Sequence, residues 1–195
     1  MLFLKFPAKV SIIKKLVDST AAVESIIKFL SSKTALMKLL YILQQVYKVP
    51  MGYNYSIHTY GPYSTEVMND VDYAEYLDLI SVEVVPYSVG YTGYRLTPKD
   101  RISEAVEKAN VSLLGYEDRI NEAIDFFGEK TAKELELSTT IIYAYVNNFE
   151  RVKESNNINE KIVEIVKKIK PLFTEELIRE EFEELEENKI LEKAS

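Results

Sequence analysis

The sequence contains no cysteine and a single histidine among its 195 residues. Without cysteine the chain forms no disulfide, carries no thiolate nucleophile and cannot bind zinc through sulfur. No apolar run approaches the length of a membrane span, and the short apolar start before Lys5 and Pro7 does not reach the length of a signal peptide. We therefore expect a soluble cytoplasmic protein that has no cofactor and no bound metal.

Positive charge is concentrated in the first quarter of the chain. Residues 1–50 carry 8 basic and 2 acidic groups, a net charge of +6, whereas each later quarter is net negative and the whole chain carries −7. Only five basic residues are arginine, the side chain best suited to bidentate contacts with phosphate or guanine. A nucleic-acid-binding protein usually displays a basic face. Here the credible contributors are Lys9, Lys14, Lys15, Lys28, Lys38 and Lys48.

Helices are predicted at the start of the chain. Apolar residues recur at helical spacing over residues 8–30, with a break and a new helix cap expected at residues 18–20. A further helix is predicted over residues 33–48, after a cap at Ser31 and Ser32. Its expected buried stripe consists of Leu36, Leu39, Leu40, Leu43 and Val46, and its opposite stripe consists of Lys38, Tyr41, Gln45 and Lys48.

A strand, a helix and a β-hairpin are predicted next. Residues 52–60 alternate with period two, and the turn at Gly61 and Pro62 leads into a helix that runs to about residue 78. Two strands follow around a hairpin tip at residues 87–93. Their expected inward residues are Ile80, Val82, Val84, Tyr94 and Leu96. This order of elements predicts a winged-helix core over residues 10–98, within a first domain of residues 1–98.

Residues 99–195 predict a helical C-terminal region packed on that domain. Thr97 and Pro98 are expected to open its first helix, and residues 135–149 are expected to be buried. Capping-box spacings occur at Thr131 with Glu134 and at Asn157 with Glu160. The last long helix displays eight glutamates and one arginine, and it is expected to bury Leu177, Ile178, Phe182 and Leu185. A surplus apolar face on these helices would favour a homodimer.

Several segments together carry a family resemblance. The segments "TALMKLLYILQ", "YSIHTYGPYSTEV" and "GYRLT", followed by "AKELELSTTIIYAY", resemble the YwgA-like family of uncharacterised bacterial and archaeal proteins. They are more remotely similar to the antitoxin-associated Panacea domain of SocA-like proteins. The resemblance covers most of residues 30–147, and its most specific part is the motif of Tyr60, Gly61, Pro62, Tyr63 and Ser64. It implies a winged-helix-like core and regulatory or antitoxin-type protein interactions, and it supplies no catalytic residues.

The helix after this motif is unusually acidic for a helix that enters a DNA groove. It carries Glu66, Asp70, Asp72, Glu75 and Asp78 and no basic residue. Because DNA affinity comes largely from neutralising phosphates, these carboxylates would oppose insertion into the groove. Residues two apart on a helix do not share a face, so Asp70 and Asp72 are not expected to chelate a metal. His58 has no nucleophile signature around it and is interpreted as an ordinary polar residue.

Eleven of the fourteen tyrosines lie between residues 41 and 94. Those at the turn or the hairpin tip either pack back on the core or form a binding surface, since tyrosine brings contact area with little rotamer entropy. The candidate partner-binding residues are Tyr60, Tyr63, Asp72, Glu75, Asp78, Tyr87 and Tyr91. The sequence therefore favours a non-enzymatic regulatory or protein-interaction module. The alternative is a DNA-binding transcriptional regulator that uses the wing and the N-terminal lysines, and an enzyme of unrecognised type comes third.

Overall fold

The computed structural model describes residues 4–21, 33–88, 91–104, 107, 115–152 and 157–195, and this part of the chain is mainly helical. The helices are α1 (Phe6–Ala21), α2 (Lys33–Gln45), α3 (Thr65–Tyr76), α4 (Glu117–Phe127), α5 (Ala132–Val152), α6 (Ile158–Ile169), α7 (Glu175–Glu187) and α8 (Ile190–Ala194). Two small antiparallel sheets accompany them. One pairs β1 (Ser56–His58) with β2 (Gly61–Tyr63), and the other pairs β3 (Ile80–Ser88) with β4 (Tyr91–Pro98).

Helix α2 lies at the centre of the hydrophobic core. It contacts α1, α4, α5, β2 and β4, and every residue from Ala35 to Leu43 is buried. The predicted leucine stripe is confirmed. The opposite stripe differs from the prediction, because Lys38 and Tyr41 are each only 2% exposed. A helix with neighbours on all sides has no solvent face at its middle.

Helix α5 is the second central helix, and it packs against α2, α6, α7 and β2. Its start confirms the predicted capping box: the Thr131 backbone N–H donates to Glu134 Oε2 (2.6 Å), and the Glu134 N–H donates to Thr131 Oγ1 (3.2 Å). Three consecutive hydroxyl residues in the buried middle bond to helix carbonyls four residues earlier, so each of these three hydroxyls has an acceptor. They are Ser138, Thr139 and Thr140.

The two hairpins differ from their predicted form. Gly61 and Pro62, expected as a turn, belong to strand β2, and the turn lies at Thr59 and Tyr60. Strand β4 continues to Pro98, which pairs with Ile80, so no helix opens at Thr97. Backbone hydrogen bonding between β4 and β3 therefore outweighs the helix-start pattern of Thr97 and Pro98.

The outer half of the β3–β4 hairpin extends beyond the helices that cover its base. Ile80 and Leu96 are buried as predicted, whereas Val84 and Tyr94, which pair with each other, are 65% and 45% exposed. The prediction that these two residues point into the core is therefore wrong. Alternation identifies the face of a strand but does not show how far along the strand the covering helices reach.

Three further predictions concern α1, residues 22–32 and α7. The predicted break at residues 18–20 is wrong, because α1 continues to Ala21 and Lys14 pairs with Asp18 within it. Residues 22–32, with the predicted second helix and its following cap, lie outside the described residues. In α7, Ile178, Phe182 and Leu185 are buried as expected, but Leu177 is 41% exposed.

None of the helices within the described part of the chain combines the length and the apolar character that a bilayer crossing requires.

Candidate functional site

The hairpin formed by β1 and β2 is fixed to the core by two buried lysines. From α2, Lys38 Nζ donates a hydrogen bond to the carbonyl oxygen of Pro62 (2.6 Å). Just after α6, Lys170 Nζ donates to the carbonyl oxygen of Thr59 and to Glu136 Oε1 (2.5 Å). The two lysines are 2% and 4% exposed. Each side of the hairpin turn is thus held by an ammonium group from a different helical segment.

The charge in this cluster is only partly compensated. Burial and, to a smaller extent, the Lys170 charge lower the pKa of Lys38 to about 8, and Glu136 acts in the opposite direction. Among the described residues, two ammonium groups therefore share one carboxylate. The cluster thus has an excess of positive charge next to the hairpin. This excess is costly, because a buried charge needs a counter-charge and hydrogen bonds to compensate it.

Gly61 is required where the hairpin meets α5. Its φ is +87°, a conformation that L side chains rarely adopt. A Cβ atom here would lie 3.1 Å from Thr140 Oγ1 and 3.5 Å from both the Glu136 carbonyl oxygen and Lys38 Nζ. The glycine thus permits both the backbone turn and the close approach to the buried lysine.

Ser64 joins the hairpin to α3. It is the N-cap of the helix: its Oγ accepts from the Val67 backbone N–H (3.5 Å) and donates to Glu66 Oε2 (2.7 Å). The motif of residues 60–64 is consequently a structural unit that links the buried lysines to the start of α3.

A pocket of about 280 Å³, which we call the hairpin pocket, lies between α2 and this hairpin. Helix α2 contributes Lys33, Met37 and Lys38 to its walls, and the hairpin contributes His58, Tyr60 and Tyr63. His58 is exposed, and its Nε2 lies 3.1 Å from Ser56 Oγ. The structure thus brings together two predicted partner-binding tyrosines, one predicted nucleic-acid lysine and the single histidine.

The carboxylates of α3 bind groups of the same chain. Asp70 accepts from Lys9 Nζ (3.2 Å) and from the Tyr53 hydroxyl (2.8 Å), whereas Asp72 accepts from Lys33 Nζ (2.8 Å). The two aspartates therefore diverge, as their spacing predicts. No group of three potential metal ligands occurs among the described residues.

Two other predicted partner-binding acids lie at or beyond the end of α3. Asp78, at φ 60°, pairs with Lys99, whose hydrogen bond and charge hold the pKa of Asp78 below its usual value. Glu75 is exposed. Of the carboxylates predicted to meet a partner, Asp72 and Asp78 are therefore already engaged by lysines of this chain.

The lysines predicted as a nucleic-acid footprint do not form one exposed surface. Lys38 is buried, which contradicts that assignment, because the carbonyl of Pro62 and the surrounding helices enclose it. Lys9 pairs with Asp70, Lys14 pairs with Asp18, and Lys48 donates to the carbonyl oxygen of Ala194 (3.0 Å). Lys15 is half-buried on α1, and Lys28 lies outside the described residues.

Sequence reasoning missed an exposed aromatic pair on α3. Tyr73 and Tyr76 are 49% and 82% exposed, and their rings stack with centroids 6.4 Å apart at an interplanar angle of 14°. Tyr73 also contacts Phe6, at 4.9 Å between ring centroids. The sequence did contain a signal for this exposed pair, because the spacing of both tyrosines places them off the buried stripe of Val67, Val71 and Ala74. Asp72, Tyr73, Glu75 and Tyr76 are all exposed, and we call them the outer face of α3.

The other two predicted tyrosines are described only through their backbone. Tyr87 lies in β3 and Tyr91 lies in β4, so neither belongs to the turn between the strands. Their side chains lie outside the described part of the structure.

No protein-family model matches this chain, and no curated protein matches it.

Proposed function

We propose that this protein is a non-enzymatic regulatory module that binds a basic surface of a protein partner through the outer face of α3. The observation that carries the proposal is the stacked pair of Tyr73 and Tyr76 beside Glu75, exposed on a helix whose other side is fully buried. An antitoxin-like role, in which the partner is held inactive, is one form of this activity and agrees with the resemblance of residues 30–147.

The chemistry of this face suits a protein better than DNA. A rigid tyrosine pair provides contact area at low cost in rotamer entropy, and the exposed Glu75 carboxylate steers and selects a positively charged partner. Phosphates would instead be repelled by the same carboxylate. The bonds that Lys9, Lys14 and Lys48 make within the chain further disfavour the DNA-binding alternative.

The order of elements supports a winged-helix-like core as the scaffold of this proposal. Helix α2, strand β1, helix α3 and the β3–β4 hairpin follow one another as in that fold, with α3 in the place of the recognition helix. One difference is that β1 pairs with β2, while β3 and β4 form a sheet of their own. We propose that α3, which follows β1 as the recognition helix would, binds a protein and not DNA.

The proposed boundary between a domain of residues 1–98 and a C-terminal region of residues 99–195 lies just after β4. Helix α2 and strand β2 pack on α5, so residues on both sides of that boundary share the hydrophobic core. In this proposal the C-terminal region supports the β1–β2 hairpin and α3. A homodimer would form through the exposed apolar residues of the same region, such as Leu172, which is 97% exposed.

The test uses a variant that changes only the outer face of α3. Tyr76→Ser with Glu75→Gln avoids Asp72 and Asp78, whose removal would also release Lys33 and Lys99. The matched control is Val84→Thr with Glu83→Gln, which likewise removes apolar surface and one carboxylate at exposed positions, here in strand β3. Both variants should melt within about 2 °C of the unmodified protein, because neither alters a buried group.

The measurement is affinity capture from the native cell, scored for protein and nucleic acid together, followed by titration of the captured partner. We expect a protein that binds the unmodified chain and the control alike and loses at least about tenfold in affinity for the α3 variant. Duplex DNA should bind no better than the nonspecific range, roughly 10⁻⁴ to 10⁻⁶ M at physiological salt. A sequence-specific DNA complex, or equal loss of the partner in both variants, would reject the proposal.

A further inference from the structure

We propose that the hairpin pocket binds a small organic anion, with its negative group beside the Lys38 ammonium and its apolar part against Met37, Met68 and Tyr63. The pocket shares no residue with the outer face of α3, although Lys33 of its wall pairs with Asp72, and the inference does not depend on the proposed function.

The first argument is the charge balance. The charged groups that act on Lys38 within the described part of the chain are Lys170 and Glu136, and Glu136 already binds the Lys170 ammonium at 2.5 Å. Lys38 itself is bonded to a neutral carbonyl, that of Pro62. An anion in the pocket would supply the counter-charge that this buried lysine lacks.

The second argument is the composition of the pocket walls. Met37, Met68 and Tyr63 contribute mainly apolar side chains to the walls, and Thr34 and Thr59 contribute short polar ones. A few polar groups set in a mainly apolar wall are typical of small-molecule sites. Lys33, also in the wall, contributes little further positive charge because Asp72 compensates it.

The third argument is size. The volume of about 280 Å³ lies just below the range of roughly 300–1,000 Å³ found for drug-sized ligands. The pocket therefore suits a molecule such as an aromatic or branched carboxylate or phosphate monoester, and it is too small for a dinucleotide.

The test compares probes of equal shape and different charge. Benzoate and phenyl phosphate are the anionic probes, and benzamide is the neutral counterpart of benzoate. Calorimetric titration near neutral pH should give saturable binding of at least one anion, at least about tenfold tighter than benzamide. Amide NMR signals of residues 58–63 should shift with the bound anion. Saturable binding of neither anion, binding of neither anion more tightly than benzamide, or shifts confined to another surface would overturn the proposal.

Substitutions then identify which lysine provides the charge that binds the anion. Lys38→Met should weaken the anion at least about tenfold, whereas Lys14→Met, which removes a surface lysine of α1, should not. Because Lys38→Met also removes the donor to Pro62, a second pair avoids the buried cluster: Met68→Glu places a negative charge at the half-buried pocket wall, and Met68→Gln is its neutral match. Anion binding that is the same in Met68→Glu and Met68→Gln would reject the site.

Discussion

Replacing Gly61 with alanine tests how tightly the β1–β2 hairpin fits against α5. At a φ of +87° an alanine is strained, at a cost of about 1–3 kcal/mol. Its Cβ would also lie 3.1 Å from Thr140 Oγ1, and such overpacking typically costs about 1–3 kcal/mol more. We take the lower half of the summed range, about 2–4 kcal/mol, because the Thr140 side chain has some freedom to shift. For a chain of this length that loss corresponds to a melting temperature lower by roughly 4–16 °C.

The assay is thermal and urea unfolding followed by circular dichroism. Gly93→Ala in β4 is the matched control, since a Cβ there would make only an ordinary contact of 3.6 Å with Val85 Cγ2, and it should change the stability by less than about 0.5 kcal/mol. In a Thr140→Ala background the cost of Gly61→Ala should fall to its backbone part, about 1–3 kcal/mol. If Gly61→Ala is no more destabilising than Gly93→Ala, the reasoning about this hairpin is refuted.

Three further predictions concern single side chains. The folded pKa of Lys38 is about 8 and its ordinary value is 10.5, so the unfolded chain binds more protons between these values. The stability of the unmodified protein relative to Lys38→Met should therefore rise with pH across this window, by roughly 2–3 kcal/mol in urea titrations, and a falling difference would contradict the assignment. Thr131→Ala should lower the free energy of unfolding by about 0.5–2 kcal/mol through loss of the α5 cap, and an unchanged urea midpoint would count against that cap. His58→Gln, at an exposed position, should leave the melting curve and partner binding intact; loss of function with an unchanged melting curve would contradict the non-enzymatic proposal.

The elements that local patterns determine were predicted well. The leucine spacing of α2 identified its buried side, and the pairing of Thr131 with Glu134 identified the start of α5. Val67, Val71 and Ala74 were likewise identified as the core side of α3. In each case the residues that decide the structure lie within one or two helical turns of one another, where sequence spacing translates directly into position.

The features that were not predicted depend on residues far apart in the chain. Lys38 was assigned to a surface because its helix position is polar by pattern, but its burial is decided by the Pro62 carbonyl, Glu136 and Lys170. Nothing in the spacing of residues 33–48 reports on those groups. The exposure of Val84 and Tyr94 similarly depends on where α1, α2 and α3 end against the hairpin. The sequence thus singled out residues 60–64, but it indicated neither their strand pairing nor the buried charges beside them.

The bond from Lys170 to Thr59 has a consequence for the order in which the protein folds during synthesis. These residues are 111 positions apart, so the β1–β2 hairpin leaves the ribosome long before one of its two anchors exists. At about 5–20 residues per second, the interval lasts roughly 5–20 s. During that time Lys38 can bond to the Pro62 carbonyl, but the Thr59 carbonyl does not yet have the Lys170 ammonium as its donor. The anchoring of the β1–β2 hairpin is therefore complete only after residue 170 has been translated, and a product truncated before that residue would lack the second anchor.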